Sequence, residues 1–157
     1  MLIKKKLIKR LFLFAVLFIL SLTLIADPTR TRAHVYNFIP LHTITYIIMH
    51  KSLFVILKNM IGNVILFLPF GFLLPLRWSK VNTIYKAVLI GSLFSIFIEM
   101  AQIIYAYRMT DIDDVLLNTL GTAIGYKIYQ SSIKKYKILD YNRSSIKIEH
   151  KKKISVL

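Results

Sequence analysis

Apolar residues in this chain are gathered into long runs that few polar residues interrupt. The first lies within residues 7–26 and contains an uncharged stretch of 16, close to the roughly 20 residues that a transmembrane helix needs. Residues 61–76 and 87–107 form two further runs, and a fourth helix is predicted over residues 113–129. The pattern therefore predicts an all-α membrane protein with about four transmembrane helices.

The segments outside these runs are more polar. Residues 27–58 alternate short apolar patches with His and Lys, and no patch reaches spanning length, which favours an amphipathic or re-entrant segment at the membrane interface. The predicted organisation is a basic N-terminus (1–10), a transmembrane domain (7–130) and a basic, flexible tail (131–157). The basic start is also compatible with a signal peptide. A retained helix is preferred, because Leu24 stands where a cleavage site needs a small residue and further spans follow.

Composition and charge support a membrane protein rather than a nucleic-acid-binding one. The chain is 56% hydrophobic, above the roughly 45–50% of soluble domains. The net charge is +15, but five of the 22 Lys and Arg lie in the first ten residues and nine lie from Lys127 onward. No nucleic-acid-reading motif accompanies them. With both termini inside, the inner segments hold 17 Lys and Arg and the outer loops five, which predicts a multi-pass cell-membrane protein with both termini cytoplasmic.

The third and fourth predicted helices each carry a polar face. On the third, one stripe contains Ser92, Ser95, Glu99 and Gln102. On the fourth, one face contains Asp114, Asn118, Gly121 and Gly125, joined by Asp111 if the helix begins early enough to include it. Gly121 and Gly125 form a small-xxx-small pair suited to close helix packing. We expect the two faces to meet each other or a shared cavity on the outer side. Asn63, at the outer end of the second run, is expected to face the same place, whereas Asp113 points elsewhere and is expected to cap a helix or face water.

Glu99 is the costliest of these residues to keep in a membrane. It lies about 12 Å from the outer end of its helix, where an ionised acid costs on the order of 2.5–3.5 kcal/mol. It is therefore either neutral or paired. Arg108 is too far along the same helix to be a direct partner. For the uncharged polar residues, simple hydrogen bonding between helices is an equally good interpretation.

The remaining candidate chemistry is weak. The acidic run "DIDD" has the oxygen ligands that divalent cations prefer, but a short acidic run alone is not specific. His34, His42 and His50 share no helical face and are interpreted as interfacial rather than as metal ligands. The chain has no Cys, no phosphate-binding loop and no nucleophile elbow. No metal and no cofactor is predicted.

Three blocks carry a resemblance to a known family: "NMIGNVILFLPFGFLLP" (59–75), "EMAQ" with "RMTDIDDVLLNTLGTAIGY" (99–126), and "YNFIPLHTI" (36–44), which is similar to an Asn-x-x-Pro segment. In these the chain resembles the VanZ-like family of small bacterial integral membrane proteins. The resemblance implies a link to teicoplanin-type glycopeptide resistance, with peptidoglycan termini left unchanged. It marks the following ligand-binding candidates: Asn63, Glu99, Gln102, Arg108, Asp111, Asp114 and Asn118.

Three functions remain open at this stage. The preferred one is a non-enzymatic binder whose outward polar cleft holds a membrane lipid or a lipid-linked cell-wall precursor, with Arg108 on a phosphate or carboxylate. The second is a membrane enzyme on a lipid-linked substrate, in which an Asp of "DIDD" acts as base or metal ligand. The third is a structural partner that packs through its glycines. The pattern predicts no oligomeric state.

Overall fold

The computed structural model describes residues 2–24, 36–103 and 110–154, with side chains described within residues 5–134 of these ranges. Its helices are α1 (Leu2–Leu24), α2 (His42–His50), α3 (Leu53–Ile56), α4 (Gly62–Arg77), α5 (Ile84–Ala101) and α6 (Ile112–Ile154). A π-helical turn, Leu57–Ile61, joins α3 to α4. Strands β1 (Tyr36–Asn37) and β2 (Thr110–Asp111) form a short parallel pair. The all-α membrane prediction is confirmed, with this pair as a small addition.

Three helical stretches of the described chain are long and apolar enough to cross a membrane. They cover residues 5–24, 53–77 and 84–101. The predicted fourth span, 113–129, is not among them. By length and composition, three of the four expected spans are therefore present in the described chain. The physical reason is that α6 packs along α4 and α5, and its buried face carries Asp113, Asn118 and Thr122 among its apolar side chains.

Helix α6 nevertheless lies alongside the spanning part of α4 and runs in the same direction. Near its start Asp114 accepts a hydrogen bond from Asn63, and farther along the ring of Tyr129 lies 6.3 Å from that of Phe72. Helices α1 and α5 run the opposite way. The starts of α4 and α6 and the ends of α1 and α5 therefore meet at one end of the bundle.

Glycines bring α4 and α6 into backbone contact. A Cβ atom built at Gly125 would lie 2.1 Å from the Leu68 carbonyl oxygen, and one at Gly121 would lie 2.3 Å from the Val64 carbonyl oxygen. From the other side, a Cβ at Gly71 would lie 2.1 Å from the carbonyl oxygen of Thr122. Such close approach is what small residues permit between membrane helices. The pair is buried within the chain and does not present a free packing surface to a partner.

The bounds of two predicted segments were wrong. The second span starts at Leu53 rather than at residue 61, because Lys58 projects outward and the Asn59 amide bonds the Val55 carbonyl at 2.9 Å, so neither polar residue ends the helix. The tail predicted to be flexible from residue 131 continues α6 as far as Ile154. It contains no Gly or Pro that would stop a helix.

Residues between the first two spans form α2, which has no buried residue. Its exposed side chains include the apolar Ile48 and Met49 as well as Tyr46. The interfacial or re-entrant placement of residues 27–58 stays a prediction: residues 27–35 lie outside the described residues, and residues 53–58 belong to the second spanning stretch.

Candidate functional site

Asn37 joins three parts of the chain at the end of the bundle where β1 and β2 pair. Its amide nitrogen donates to Asp111 Oδ1 and to Thr43 Oγ1, each at 2.9 Å. Its carbonyl oxygen accepts the backbone N–H of Ile39 at 3.2 Å, as in an Asx turn. The side chain is buried, so all of its polar groups are satisfied by protein. Asn37 therefore fixes the chain before α2 to the chain before α6.

Asp113 makes the second link between the same two segments. It is 1% exposed, and its Oδ1 and Oδ2 accept the backbone N–H groups of Leu41 at 2.5 Å and Ile44 at 3.1 Å. These N–H groups open α2, and a carboxylate at a helix N-terminus is stabilised by the unpaired amides and the helix dipole. Asp113 thus caps a helix, but one about 70 residues earlier in the chain. Of the two placements expected for Asp113, the structure has the helix cap and not the exposure to water.

Leu41 is held in an unusual conformation beside this carboxylate. It is in the left-handed region at φ 66°, the only non-glycine residue with positive φ in the described chain. For a residue with a side chain this costs about 1–2 kcal/mol. The hydrogen bond from its backbone N–H to Asp113 holds it there, and strain of this kind tends to gather at functional sites.

Glu99, on α5, is the third acid of the cluster that contains Asp111 and Asp113. It is 5% exposed, and its Oε2 accepts the backbone N–H of Asp111 at 3.0 Å. Asp111 Oδ1 in turn accepts the N–H of Asp113 at 3.0 Å. The acids are therefore held close together by backbone amides. Arg108, the predicted cationic partner of a ligand, lies outside the described residues.

The predicted polar faces of α5 and α6 meet one turn deeper. The Asn118 amide donates to Ser95 Oγ, and Ser92 Oγ lies against Thr119 Oγ1, each at 2.9 Å. Asn118 Oδ1 is buried with no hydrogen-bond partner, as is Thr110 Oγ1 nearer the end of the bundle. A buried acceptor left unpaired costs about 1–3 kcal/mol, so each marks a place where a bound group would be favoured.

The other predicted residues do not join this cluster. Asn63 donates to Asp114 Oδ1 at 2.6 Å between α4 and α6, and Gln102 donates to the carbonyl oxygen of Thr23 in α1 at 2.9 Å. Asn59, four residues before Asn63, is exposed. The candidate set is thus spread over several helix contacts. Two pairs within it bond each other, Glu99 with Asp111 and Asn63 with Asp114.

Sequence reasoning missed the residues that tie α2 to the site. Asn37, Thr43 and Thr110 were not among the candidates, and Asp113 was assigned a peripheral place. The available signal was the block "YNFIPLHTI", which supplies Asn37, Thr43 and the backbone N–H groups that bond Asp113.

A small recess lies directly against the acidic cluster. It has a volume of about 160 Å³ and is bounded by Glu99, Asp111, Thr110, and the apolar residues Phe38, Ile96, Met100, Ile103, Ile112 and Val115. Ligand cavities commonly measure roughly 300–1,000 Å³, so this recess holds part of a ligand and not a whole one. The surface that the recess exposes is apolar, and the carboxylates of Glu99 and Asp111 lie buried behind it.

Metal binding was the alternative for the acidic run. Within the part of the chain that the structure describes, no three His, Cys, Asp or Glu side chains are grouped closely enough to hold a metal ion. Both oxygens of Asp113 and one of Asp114 already accept hydrogen bonds.

Comparison with known proteins gives a match over most of the chain. A family model described as VanZ/LLP1 matches residues 10–134, which include every element of the site. Protein VanZ of Enterococcus faecium is 40% identical over 77 residues, covering 49% of this chain and 47% of that protein. The matched segment thus spans about half of that relative. No solved structure matches the chain.

Proposed function

Because the chain belongs to the VanZ/LLP1 family, we propose that it contributes to teicoplanin-type glycopeptide tolerance or to cell-envelope homeostasis by binding the head group of a lipid or lipid-linked envelope precursor at the end of the bundle that holds Glu99. The chain is a membrane protein with apolar spanning helices. Since the match to protein VanZ covers about half of that protein, the activity is our proposal.

The observation that carries the proposal is the position of the recess. Its apolar side chains lie at the surface that lipid would cover, with Phe38 and Met100 both exposed. Glu99, Asp111 and Thr110 lie behind this apolar lining, nearly buried, and their side chains offer mainly hydrogen-bond acceptors. A head group at the mouth of the recess would bring hydroxyl, amide or amine donors near them. The first carbons of its lipid chain would fill the apolar part.

The distribution of charge supports an outward orientation for this end. The acids with described side chains, Glu99, Asp111, Asp113 and Asp114, all lie here. The opposite end holds the first turns of α1 and the end of α4, with Lys5, Lys6, Lys9 and Arg77. Positive residues favour the cytoplasmic side, so the recess would face outward, where glycopeptides act.

The test is to fill the recess without disturbing the core. Ile96 borders it from α5 and is 42% exposed, so Ile96→Trp places a large ring in the recess at little folding risk. Leu93→Trp is the matched control, because Leu93 lies one turn away on α5, is 57% exposed and does not border the recess. Both variants are expressed in cells that lack the native gene, at equal membrane levels.

We expect Ile96→Trp to lower the teicoplanin MIC to that of empty-vector cells and Leu93→Trp to keep the wild-type value. Mass spectrometry of lipids copurifying with the proteins should show one species lost in Ile96→Trp only. Full tolerance and an unchanged lipid profile in Ile96→Trp would rule out the recess as the binding site.

A further inference from the structure

A second cleft lies at the opposite end of the bundle, between the start of α1 and the end of α4. Its volume is about 570 Å³, within the usual range for a ligand site. The residues around it are Lys5, Lys6, Ile8, Lys9, Leu76, Arg77 and Ser79. Four of the seven are cations, so the cleft is strongly basic.

Packing between α1 and α4 holds these cations together. The two helices are antiparallel, which sets the first turns of α1 against the last turn of α4. The ring of Phe12 lies 5.5 Å from that of Phe70 and 5.0 Å from that of Trp78. The Arg77 guanidinium lies over the Trp78 ring at 5.0 Å, within the range of a cation–π contact. Arg77 is thereby fixed beside the cleft, and Lys5 and Lys9 lie one helical turn apart on its other wall.

No carboxylate with a described position neutralises this group. The four acids whose side chains are described lie at the other end of the bundle. Like charges held together repel, and an anion bound among them removes the repulsion. The cleft therefore has the charge and the size for an anionic group, and none of its cations is involved in the site at Glu99.

We propose that this cleft binds the phosphate of an anionic phospholipid from the leaflet on that side of the membrane. A lipid rather than a free anion fits because the cleft lies at the ends of two membrane spans, where head groups lie, and because Ile8 and Leu76 give it an apolar border. Basic pockets between transmembrane helices on the cytoplasmic side are suited to such head groups. Trp78, 43% exposed, lies at the same level, as aromatic side chains do at membrane interfaces.

The test uses the full chain in phosphatidylcholine nanodiscs, with phosphatidylglycerol as the probe and native mass spectrometry as the readout. The variant Lys5→Gln/Lys9→Gln/Arg77→Gln removes three cations of the cleft. The control Arg10→Gln/Lys80→Gln/Lys86→Gln removes three cations from the same end that do not border it. We expect the first to bind phosphatidylglycerol at least about tenfold more weakly and the control to stay within about twofold of wild type.

Three results would overturn the proposal: no preference of the wild type for phosphatidylglycerol over phosphatidylcholine, equal losses in both triple variants, or displacement of the lipid by inorganic phosphate at low millimolar concentration. The last would mark a site for free anions. A photoactivatable phosphatidylglycerol on the wild-type protein gives a second readout that needs no variant to fold. Adducts are expected on residues 5–9 and 76–79, and adducts confined to other segments would count against the cleft. Since these cations lie at the far end from Glu99, this result is independent of the teicoplanin experiment.

Discussion

Replacing Gly125 with alanine would put a methyl group where the backbone of α4 already lies. The new Cβ would be 2.1 Å from the Leu68 carbonyl oxygen and 2.8 Å from the Phe72 nitrogen. Carbon and its neighbours normally pack at about 3.5–4.0 Å. Because the atoms it meets belong to the backbone, no side chain can rotate away. The two helices must separate by more than about 1 Å.

The cost follows from two opposing terms. Overpacking of this kind destabilises by about 1–3 kcal/mol, and a backbone clash belongs at the upper end. Alanine in place of glycine inside a helix raises the free energy of unfolding by roughly 0.5–1 kcal/mol. The expected net effect of Gly125→Ala is a loss of about 2 kcal/mol. Gly62→Ala is the control, because a Cβ at Gly62 meets nothing within 4 Å. That variant should gain about 0.5–1 kcal/mol from helix propensity alone.

Both variants make the same chemical change, so the difference between them isolates the helix contact. Reversible unfolding in mixed micelles, followed by the fluorescence of the single Trp78, gives the free energy of unfolding of each. The two should differ by about 2.5–3 kcal/mol. Equal stability of Gly125→Ala and Gly62→Ala would refute the close approach of α4 and α6.

Three further predictions test the site and the topology. Asp113→Asn should lower the free energy of unfolding by about 1–3 kcal/mol, because an amide cannot accept both N–H groups at the start of α2; an unchanged value in the same micelle assay would show that the cap is not needed. Thr110→Val should leave stability unchanged or raise it by up to about 1 kcal/mol, because the hydroxyl oxygen is buried without a partner; a clear loss would contradict this assignment. In this cysteine-free chain, Ser52→Cys should react with an impermeant thiol reagent added to whole cells and Ser79→Cys should not; the reverse pattern would invert the proposed orientation.

Hydropathy predicted the helices well because long apolar runs are a direct consequence of the membrane. It placed the start of the second span at residue 61 because no apolar patch within residues 27–58 reaches spanning length. A helix continues wherever its backbone can bond itself, and a Lys that points outward does not prevent this. Composition also misjudged the chain from residue 131, where polarity indicated flexibility while the lack of Gly and Pro permitted a helix.

The sequence predicted only those parts of the site that follow from which residues share a face of one helix. Counting around α5 and α6 predicted that their polar faces would meet each other or a shared cavity, and in the structure Asn118 bonds Ser95 and the backbone of Asp111 bonds Glu99. The same count placed Asp113 away from the site. Its partners belong to α2, and no periodicity within one helix can show a contact with a segment about 70 residues away.

The two links from α2 to the start of α6 have a consequence for the order in which the protein is made. The N–H group of Leu41 and its acceptor in Asp113 are 72 residues apart, and Asn37 is 74 residues from Asp111. At a synthesis rate of roughly 5–20 residues per second, α2 waits about 4–14 s before its partner leaves the ribosome. The bond that holds the left-handed turn at Leu41 therefore forms late, after the spans between α2 and α6 have been inserted. Helix α2 can therefore dock onto the bundle only when the start of α6 is in place.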